Sequence, residues 1–230
     1  MNNLCIIPAR GGSKRIPRKN IKDFLGKPII SYSINAALES GIFDEVMVST
    51  DDLEIAEIAR QYGAKIPFMR SKKTADDFAV LLDVVLEVVK KYETAGIKYD
   101  NICCILPTAP LISSQILING YNKLLNSSFT SVIPIVKFSY PIMRSLEIDE
   151  HDRLKMKWKE YLTTRSQDIP PAYHDSGMFY WIKKRSLFEM ESFVSLNSTY
   201  LILDELVTQD IDTENDWLLA ELKYKIIFEK

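Results

Sequence analysis

A short apolar run that ends in two adjacent glycines constrains the fold of this 230-residue chain more than any other feature. Residues 4–7 have the pattern of a buried strand, Gly11 and Gly12 follow closely, and a helical pattern begins soon afterwards. Paired glycines let the backbone approach an anion and direct successive N–H groups at it. Strand, glycine turn and helix in this order predict the first βα unit of an open α/β sheet.

The glycine turn is also unusually basic. Its cationic residues are Arg10, Lys14, Arg15, Arg18 and Lys19. Such side chains neutralise phosphate oxygens, so the loop is predicted to wrap a polyphosphate, with Arg10 and Lys14 as the leading contacts. The motifs G-x-x-x-x-G-K-[ST] and G-x-G-x-x-G are both missing, which argues against a P-loop NTPase and a dinucleotide oxidoreductase. The alternatives are a solvated basic loop and, for Arg15 and Arg18, a purely solvent-facing position.

The charge balance and the cysteines limit the possible partners. With 29 Lys and Arg against 31 Asp and Glu, the formal net charge is −2. This argues against a nucleic-acid binder that depends on a broad positive field. Three cysteines lie in apolar runs without a C-x-x-C pair, which predicts reduced thiols in a cytoplasmic protein. We expect neither a signal peptide nor a membrane-spanning segment.

Strand-like and helix-like runs alternate through the first two-thirds of the chain. The predicted strands are 4–7, 46–49, 65–68, 102–106 and 131–136, and the predicted helices are 28–39, 53–62, 77–91, 114–125 and 214–224. This alternation predicts an α/β fold with a mostly parallel sheet and helices on both faces. Ligands of such sheets bind at the carboxyl ends of the strands. The polar clusters at 8–20, 49–52, 107–110 and 210–212 fall there.

The pattern changes between residues 137 and 173. Helical periodicity weakens, and residues 155–159 alternate basic and apolar side chains, as an exposed or interface strand does. We interpret 137–173 as a small extended subdomain of hairpins, inserted into a single domain that spans 1–230. It is the predicted contact with a second subunit.

Several motifs, distributed over nearly the whole chain, carry a family resemblance. They are Pro-Ala-Arg-Gly-Gly-Ser-Lys at 8–14 and the segments 17–20, 26–28, 48–52, 63–64, 67–70, 107–110, 165–170 and 210–214. Together they resemble the acylneuraminate cytidylyltransferases, which activate nine-carbon 2-keto sugar acids as CMP-sugars. Segments 14–24 and 165–177 are most similar to the members that act on pseudaminic acid.

The resemblance implies a Rossmann-like nucleotidyltransferase fold, a Mg²⁺-dependent reaction of CTP with a 2-keto sugar acid, and a homodimer formed through 137–173. It also implies a place in bacterial surface-glycan synthesis or flagellin glycosylation. The nucleotide-binding residues implied are Ala9, Arg10, Gly11, Gly12, Ser13, Lys14, Lys19, Asn20, Arg70 and Asp77. Where family members often have two hydroxyl residues after that aspartate, this chain has Val80 and Leu81, so backbone groups would have to replace those hydroxyl contacts.

Two aspartates are the implied metal ligands. Asp210 and Asp212 are separated by one residue, and on a strand they would point the same way. Mg²⁺ prefers hard oxygen ligands. By the resemblance Asp212 is the principal ligand and, with Arg10 and Lys14, a catalytic residue. The alternative is that Asp212 merely caps the final helix.

The implied acceptor-binding residues are Thr108, Arg144, Arg165 and Gln167, with Arg165 on the sugar carboxylate because Arg binds carboxylates in bidentate fashion. Ser166 and Leu106 stand where the sialic acid enzymes have Arg and Gln. Both changes remove polar contacts and favour a less hydroxylated acceptor such as pseudaminic acid.

Other functions stay open at the level of sequence. The same reaction on legionaminic acid, N-acetylneuraminic acid or Kdo is one alternative. A non-catalytic nucleotide-binding homologue is another, although Arg10, Lys14 and Asp212 are all present.

Overall fold

The computed structural model describes residues 1–76 and 79–229. The strands are β1 (Asn3–Pro8), β2 (Asp23–Phe24), β3 (Lys27–Pro28), β4 (Glu45–Ser49), β5 (Asn101–Ile105), β6 (Ser131–Lys137), β7 (Leu146–Ile148), β8 (Leu154–Met156), β9 (Tyr173–Asp175), β10 (Phe179–Lys183) and β11 (Ser198–Leu203). The α-helices are α1 (Ile30–Ser40), α2 (Leu53–Gln61), α3 (Lys72–Ala75), α4 (Leu81–Thr94), α5 (Ser114–Leu125), α6 (Lys184–Leu187) and α7 (Glu214–Phe228). Short 3₁₀-helices lie at Lys19–Ile21, Ile142–Arg144, Lys159–Tyr161, Ser166–Asp168 and Glu205–Val207.

One mixed sheet organises the chain. Among the described residues it has seven strands, in the order β11-β6-β10-β5-β1-β4, with β9 also paired to β6. Strands β1, β4, β5, β6 and β11 run in one direction, whereas β9 and β10 run in the other. The sheet is therefore mostly parallel by direction, as predicted, but antiparallel pairing interrupts it at its centre.

Helices cover both faces of the sheet. Side chains alternate along a strand, so neighbouring residues of β1 enter different cores. Cys5 and Ile7 pack in a cluster with residues of α1, α2 and α5. Leu4 and Ile6 pack in a second cluster with residues of α4. The predicted two-sided α/β arrangement is confirmed.

A third apolar cluster joins the basic loop to the last helix. Its buried members are Ile16, Phe24, Ile29, Ile211, Trp217 and Ala220. Phe24 meets Trp217 edge to face, with ring centroids 5.6 Å apart. The loop after β1 and the segment before α7 are thereby held against each other, although they lie near opposite ends of the sequence.

Local signals placed several helices correctly. The predicted helix 114–125 is α5. The Asp52 carboxylate accepts hydrogen bonds from the N–H groups of Glu54 and Ile55, each 3.0 Å long, and so caps α2. Gly41 ends α1 in the left-handed region, with φ of 65°.

Two predicted helix starts and one predicted strand were wrong. Helix α1 begins at Ile30 because Pro28 pairs with Asp23 in the β2–β3 hairpin. Helix α4 begins at Leu81 rather than 77, and Asp77 itself lies outside the described residues. Residues 65–68 form only a single bridge, from Lys65 to Met47. Pro67 has no N–H with which to extend that pairing.

The sequence patterns missed β10 and β11. Phe179–Lys183 is a run of buried aromatic and aliphatic residues that lies antiparallel between β5 and β6. A single antiparallel strand without a crossover helix does not continue the βα alternation, so its place was not predicted.

One short hairpin, β7–β8, lies within the segment 137–173. Within residues 1–76 and 79–229, none of the helices combines the length and the hydropathy needed to cross a membrane.

Glu87 on α4 holds α3 and the chain before it. Its carboxylate accepts hydrogen bonds from Lys91 and Thr74 and from both the hydroxyl and the N–H of Ser71. Burial acts to raise the pKa of Glu87, but these hydrogen bonds outweigh it and lower the pKa from 4.5 to about 2.

We predict that Glu87→Gln destabilises the protein by about 2 kcal/mol at neutral pH. A carboxylate with a lowered pKa contributes stability that is complete above pH 4.5 and is lost as the pH falls through about 2. The difference in free energy of unfolding between wild type and variant should therefore shrink over this range. Urea denaturation at a series of pH values measures it.

Glu57→Gln is the matched control. Glu57 is exposed, and its Oε2 lies 3.8 Å from Nη1 of its partner Arg60 on α2. Its replacement should change the free energy of unfolding by less than about 0.5 kcal/mol. A pH-independent effect of Glu87→Gln would contradict the assignment.

Candidate active site

A cleft of about 570 Å³ opens at the carboxyl ends of β1 and β5, within the size range of small-molecule sites. Its polar lining is Arg10, Ser13, Lys14, Arg15, Lys19, Asn20, Arg70, Thr74, Asp76 and Thr108. Its apolar lining is Pro8, Ile16, Ala79, Leu81, Val84, Leu106 and Pro107. The structure thus brings together most of the predicted nucleotide-binding residues in one place.

The basic loop is folded by its own hydrogen bonds. The buried Asn20 side chain donates to the carbonyl of Arg10 at 2.9 Å. The Gly11 N–H donates to Asp51 Oδ1 at 3.0 Å, and the Ser13 N–H donates to the carbonyl of Gly11 at 3.1 Å. The N–H groups of Gly11 and Ser13 were predicted to face phosphate. In this conformation the Gly11 N–H binds Asp51 after β4, and the Ser13 N–H binds within the loop.

Gly11 is needed for steric reasons. A Cβ atom on it would lie 2.7 Å from Asp52 Oδ2, which is closer than such contacts occur. Arg18 holds that carboxylate with two hydrogen bonds and also pairs with Glu54. Arg18 was predicted to be either a phosphate contact or solvent-facing, and the structure instead directs it to α2. A Cβ atom on Gly12, by contrast, would meet nothing within 4 Å.

Arg70 places a buried positive charge beside the cleft. Only 8% of the residue is exposed, and its guanidinium donates to Ser49 Oγ at 3.2 Å and to the Ser49 carbonyl at 3.0 Å. Burial lowers its pKa, while the nearby charge of Asp51 acts in the opposite direction. Among the described residues, no carboxylate lies within ion-pairing distance of Arg70, so an anionic ligand would lower the cost of burying its charge.

Arg10 contacts the segment that directly follows α3. Its Nη1 donates to the Asp76 carbonyl at 2.9 Å. The wall beside this contact is apolar and includes Ala79, Leu81 and Val84. Of the two positions where the family resemblance implied hydroxyl residues, Leu81 lines the cleft with an apolar side chain.

The predicted metal ligands lie on an irregular segment. Asp210 and Asp212 precede α7 but are not on a strand, so the expectation that a strand aligns them was wrong. Buried Ile211 anchors the segment between them. The alternative role of Asp212 as helix cap is also wrong, because Thr213 caps α7 by accepting from the Asp216 N–H.

Two cations of the basic loop face this segment. Asp212 Oδ1 lies 2.8 Å from Arg15 Nη2 and 3.6 Å from Lys19 Nζ. Lys19 Nζ also donates to the Ile211 carbonyl at 2.6 Å. Burial and the negative charge of Asp212 raise the pKa of Asp210, and Lys19 partly offsets this. The charges of Asp210 and Asp212 therefore influence each other.

The predicted acceptor residues are divided. Thr108 is buried and lines the cleft. Arg144, Arg165 and Gln167 do not line it; they lie on the extended segment 137–173. Arg165 Nε pairs with Asp168 Oδ2 at 2.8 Å, and Arg144 donates to Ser166 at 3.1 Å.

Sequence reasoning missed two contacts near the cleft. Asp51 receives the Gly11 N–H, and its position directly after β4 was the available signal. The Tyr180 hydroxyl donates to Asp175 Oδ2 at 2.5 Å, and burial raises the pKa of that hydroxyl. Tyr180 lies on β10, the strand that was not predicted, so no local pattern pointed to this pair.

The molecule is an α/β protein with a basic cleft at the carboxyl ends of its parallel strands. The chain belongs to the cytidylyltransferase family, whose model matches residues 4–223. The resemblance found in the sequence is thus confirmed.

Individual relatives are similar over nearly their full length. The chain is 45% identical over 226 residues, 98% of its length and 97% of the relative's, to the pseudaminic acid cytidylyltransferase of Campylobacter jejuni subsp. jejuni serotype O:2. It is 33% identical over 225 residues, 96% of its length and 95% of the relative's, to the CMP-N,N'-diacetyllegionaminic acid synthase of Legionella pneumophila. A solved CMP:2-keto-3-deoxy-manno-octonic acid synthetase complexed with CTP shares the fold, with a TM-score of 0.72, 18% identity and full coverage of both chains.

We predict that Gly11→Ala lowers the free energy of unfolding by about 1–3 kcal/mol, because the added methyl group must displace the Asp52 carboxylate from Arg18 and from the start of α2. Thermal unfolding measures the loss. Gly12→Ala is the matched control in the neighbouring position, and its effect should stay within about 0.5 kcal/mol. Equal destabilisation by the two substitutions would contradict the steric explanation.

Proposed function

We propose that this chain transfers CMP from CTP to pseudaminic acid and releases pyrophosphate. The observation that carries the proposal is the 45% identity, over 98% of the chain, to a protein named as a pseudaminic acid cytidylyltransferase. The cleft supports it, because basic and apolar side chains line it together, as a nucleoside triphosphate requires.

In this reaction a sugar hydroxyl oxygen forms a bond to the α-phosphorus while the bond from that phosphorus to pyrophosphate breaks. The main demands on the protein are alignment of the reactants and neutralisation of the leaving group's charge. Arg10, Lys14 and Lys19 supply positive charge to the lining of the cleft. We assign Arg10 and Lys14 to the β- and γ-phosphates.

The nucleoside end of CTP is assigned to the apolar part of the cleft lining. Leu81, Val84 and Leu106 form an apolar surface against which a pyrimidine ring can pack. Arg70 adds its buried charge near that surface. Asn20 holds the loop closed, and its predicted ribose or phosphate contact remains part of the proposal.

Members of the cytidylyltransferase family typically use Mg²⁺, and we assign the ion to Asp210 and Asp212. No cluster of three or more potential ligand side chains occurs in the part of the chain that the structure describes. Two carboxylates nevertheless suit Mg²⁺ in a nucleotide site, because this ion keeps several waters and takes substrate phosphate oxygens as ligands. When bound, the ion neutralises triphosphate charge and orients it.

The acceptor is assigned to residues that a second copy brings to the cleft. Arg144, Arg165 and Gln167 lie on 137–173, outside the lining of their own chain's cleft. The same segment exposes the large apolar side chains of Tyr140, Leu146, Ile148, Leu154 and Leu162, a composition that favours burial against a partner. We therefore infer a homodimer in which 137–173 of each copy reaches the cleft of the other, where Thr108 provides a further acceptor contact.

Legionaminic acid is the second candidate acceptor, supported by the 33% identity to a CMP-N,N'-diacetyllegionaminic acid synthase. The cell compartment assigned is the cytoplasm, where CTP is available. A role in flagellin glycosylation is supported by a 31% identical relative named as a flagellin modification protein in Campylobacter coli.

The proposal is tested by incubating the protein with CTP, Mg²⁺ and single 2-keto sugar acids, with pyrophosphate release as the measurement. We expect the highest kcat/KM with pseudaminic acid and a loss of at least about 100-fold in Asp212→Asn, because the metal loses its principal ligand. A higher kcat/KM with legionaminic acid would make that acid the assigned acceptor in place of pseudaminic acid. CTP binding without turnover of any acid would favour the non-catalytic alternative.

Arg165→Ala should raise the KM for the sugar acid by about tenfold or more while leaving the KM for CTP nearly unchanged, because a bidentate carboxylate contact is lost. Arg153→Ala is the matched control: it is equally exposed on the same segment and pairs with Asp149 through Nε at 3.0 Å. Equal effects on both KM values would remove Arg165 from the acceptor site.

A further inference from the structure

The contact between Arg15 and Asp212 links the basic loop to the predicted metal ligands. Arg15 Nη2 lies 2.8 Å from Asp212 Oδ1, and the Arg15 side chain is 69% exposed. Arg15 also lines the cleft that the triphosphate is proposed to enter. One guanidinium can therefore reach either a carboxylate oxygen or the ligand's phosphates.

We propose that Arg15 is an exchangeable counter-ion of Asp212, which makes tight metal binding depend on the arrival of the nucleotide. The inference rests on the proposed function, because it takes Asp212 as a metal ligand and CTP as the ligand of the cleft. In the exchange, the cation takes the Asp212 oxygen that Arg15 holds, and Arg15 turns to a phosphate oxygen.

The backbone around this contact is held firmly, so the exchange is a movement of one side chain. Ile16, next to Arg15, shares a buried apolar cluster with Ile211 and Trp217. Lys19 Nζ donates to the Ile211 carbonyl at 2.6 Å. Separating the loop from the aspartates would break these contacts, whereas rotating an exposed arginine breaks only a surface ion pair.

Lys19 is the fixed cation of the pair and Arg15 the mobile one. The Lys19 side chain is 20% exposed. Its Nζ lies 3.6 Å from Asp212 Oδ1 and makes a shorter hydrogen bond to the Ile211 carbonyl. An exposed ion pair such as that of Arg15 contributes little, and a divalent cation bound directly to a carboxylate can displace it.

Charge balance makes the exchange depend on the nucleotide. The carboxylates of Asp210, Asp212 and Asp216 share this corner with the cations Arg15 and Lys19, so its formal charge is −1. A metal ion alone would leave it with excess positive charge. A complex of the ion with CTP carries net negative charge, and its phosphates give Arg15 a new partner.

The test is Mn²⁺ binding, followed by the electron paramagnetic resonance signal of the free ion, with Mn²⁺ in place of Mg²⁺. Without nucleotide, Arg15→Gln should bind Mn²⁺ about two- to fivefold more tightly than wild type, the size expected for one exposed ion pair. CTP should strengthen Mn²⁺ binding less in Arg15→Gln than in wild type, because the exchange no longer contributes.

Arg18→Gln is the matched control, because it removes the same charge from the same loop but from a side chain committed to Asp52 and Glu54. Its Mn²⁺ affinity should equal that of wild type. The inference is overturned if wild type and Arg15→Gln bind Mn²⁺ with equal affinity, or if neither binds it measurably. It is also overturned if Arg18→Gln tightens Mn²⁺ binding as much as Arg15→Gln does.

Asp212→Asn separates this inference from the proposed function. If that variant loses Mn²⁺ binding while Arg15→Gln behaves as wild type, only the exchange is refuted and the metal site stands. If Asp212→Asn binds Mn²⁺ as wild type does, the metal assignment fails and the exchange fails with it.

Discussion

The buried packing of Ile16 with Ile211 and Trp217 is the constraint on which the site depends. It holds the basic loop after β1 against the acidic segment before α7, so that cations and carboxylates face one another across a short gap. Apolar burial is non-directional and cannot by itself set the angle of a side chain. Hydrogen bonds do that here: Asn20 closes the loop and Lys19 binds the Ile211 carbonyl. Packing thus provides proximity, and hydrogen bonding provides geometry.

The cations of the cleft divide into fixed and mobile ones, and this division explains how the cleft tolerates so much charge. Charges that stay fixed are buried or bound to backbone, as Arg70 is by the Ser49 carbonyl and Lys19 by that of Ile211. The charge that we propose to move, on Arg15, is exposed. Removing the partners of a buried charge costs a large free energy, whereas an exposed charge exchanges partners at a small free-energy cost. The position of each cation in the fold therefore indicates whether it forms the framework of the cleft or responds to a ligand.

Sequence patterns predicted much of the fold because the signals were local. Short apolar runs identified β1 and β4, and the Asp52 cap and Gly41 turn marked the ends of helices. Antiparallel β10 was missed because long-range packing, and not a local sequence signal, determines that it pairs with β5 and β6. The cleft was predicted in outline from residues 8–20 and from Arg70. The sequence did not reveal that the Gly11 N–H binds Asp51 and the Ser13 N–H binds the Gly11 carbonyl, since these bonds depend on where Asp51 and the loop backbone come to lie.

By itself, the sequence determined the chemistry available to this protein: a glycine turn rich in cations, a pair of aspartates and the motifs of the cytidylyltransferase family, which the family model bears out over residues 4–223. Only the tertiary structure decided which of these groups meet. Lys19 and Ile211 are 192 residues apart in the chain yet share a hydrogen bond, and Arg15 pairs with Asp212 in the same corner. Residue types and short spacings reflect local backbone preferences, whereas contacts across the chain arise only when strands pair and apolar faces are buried together.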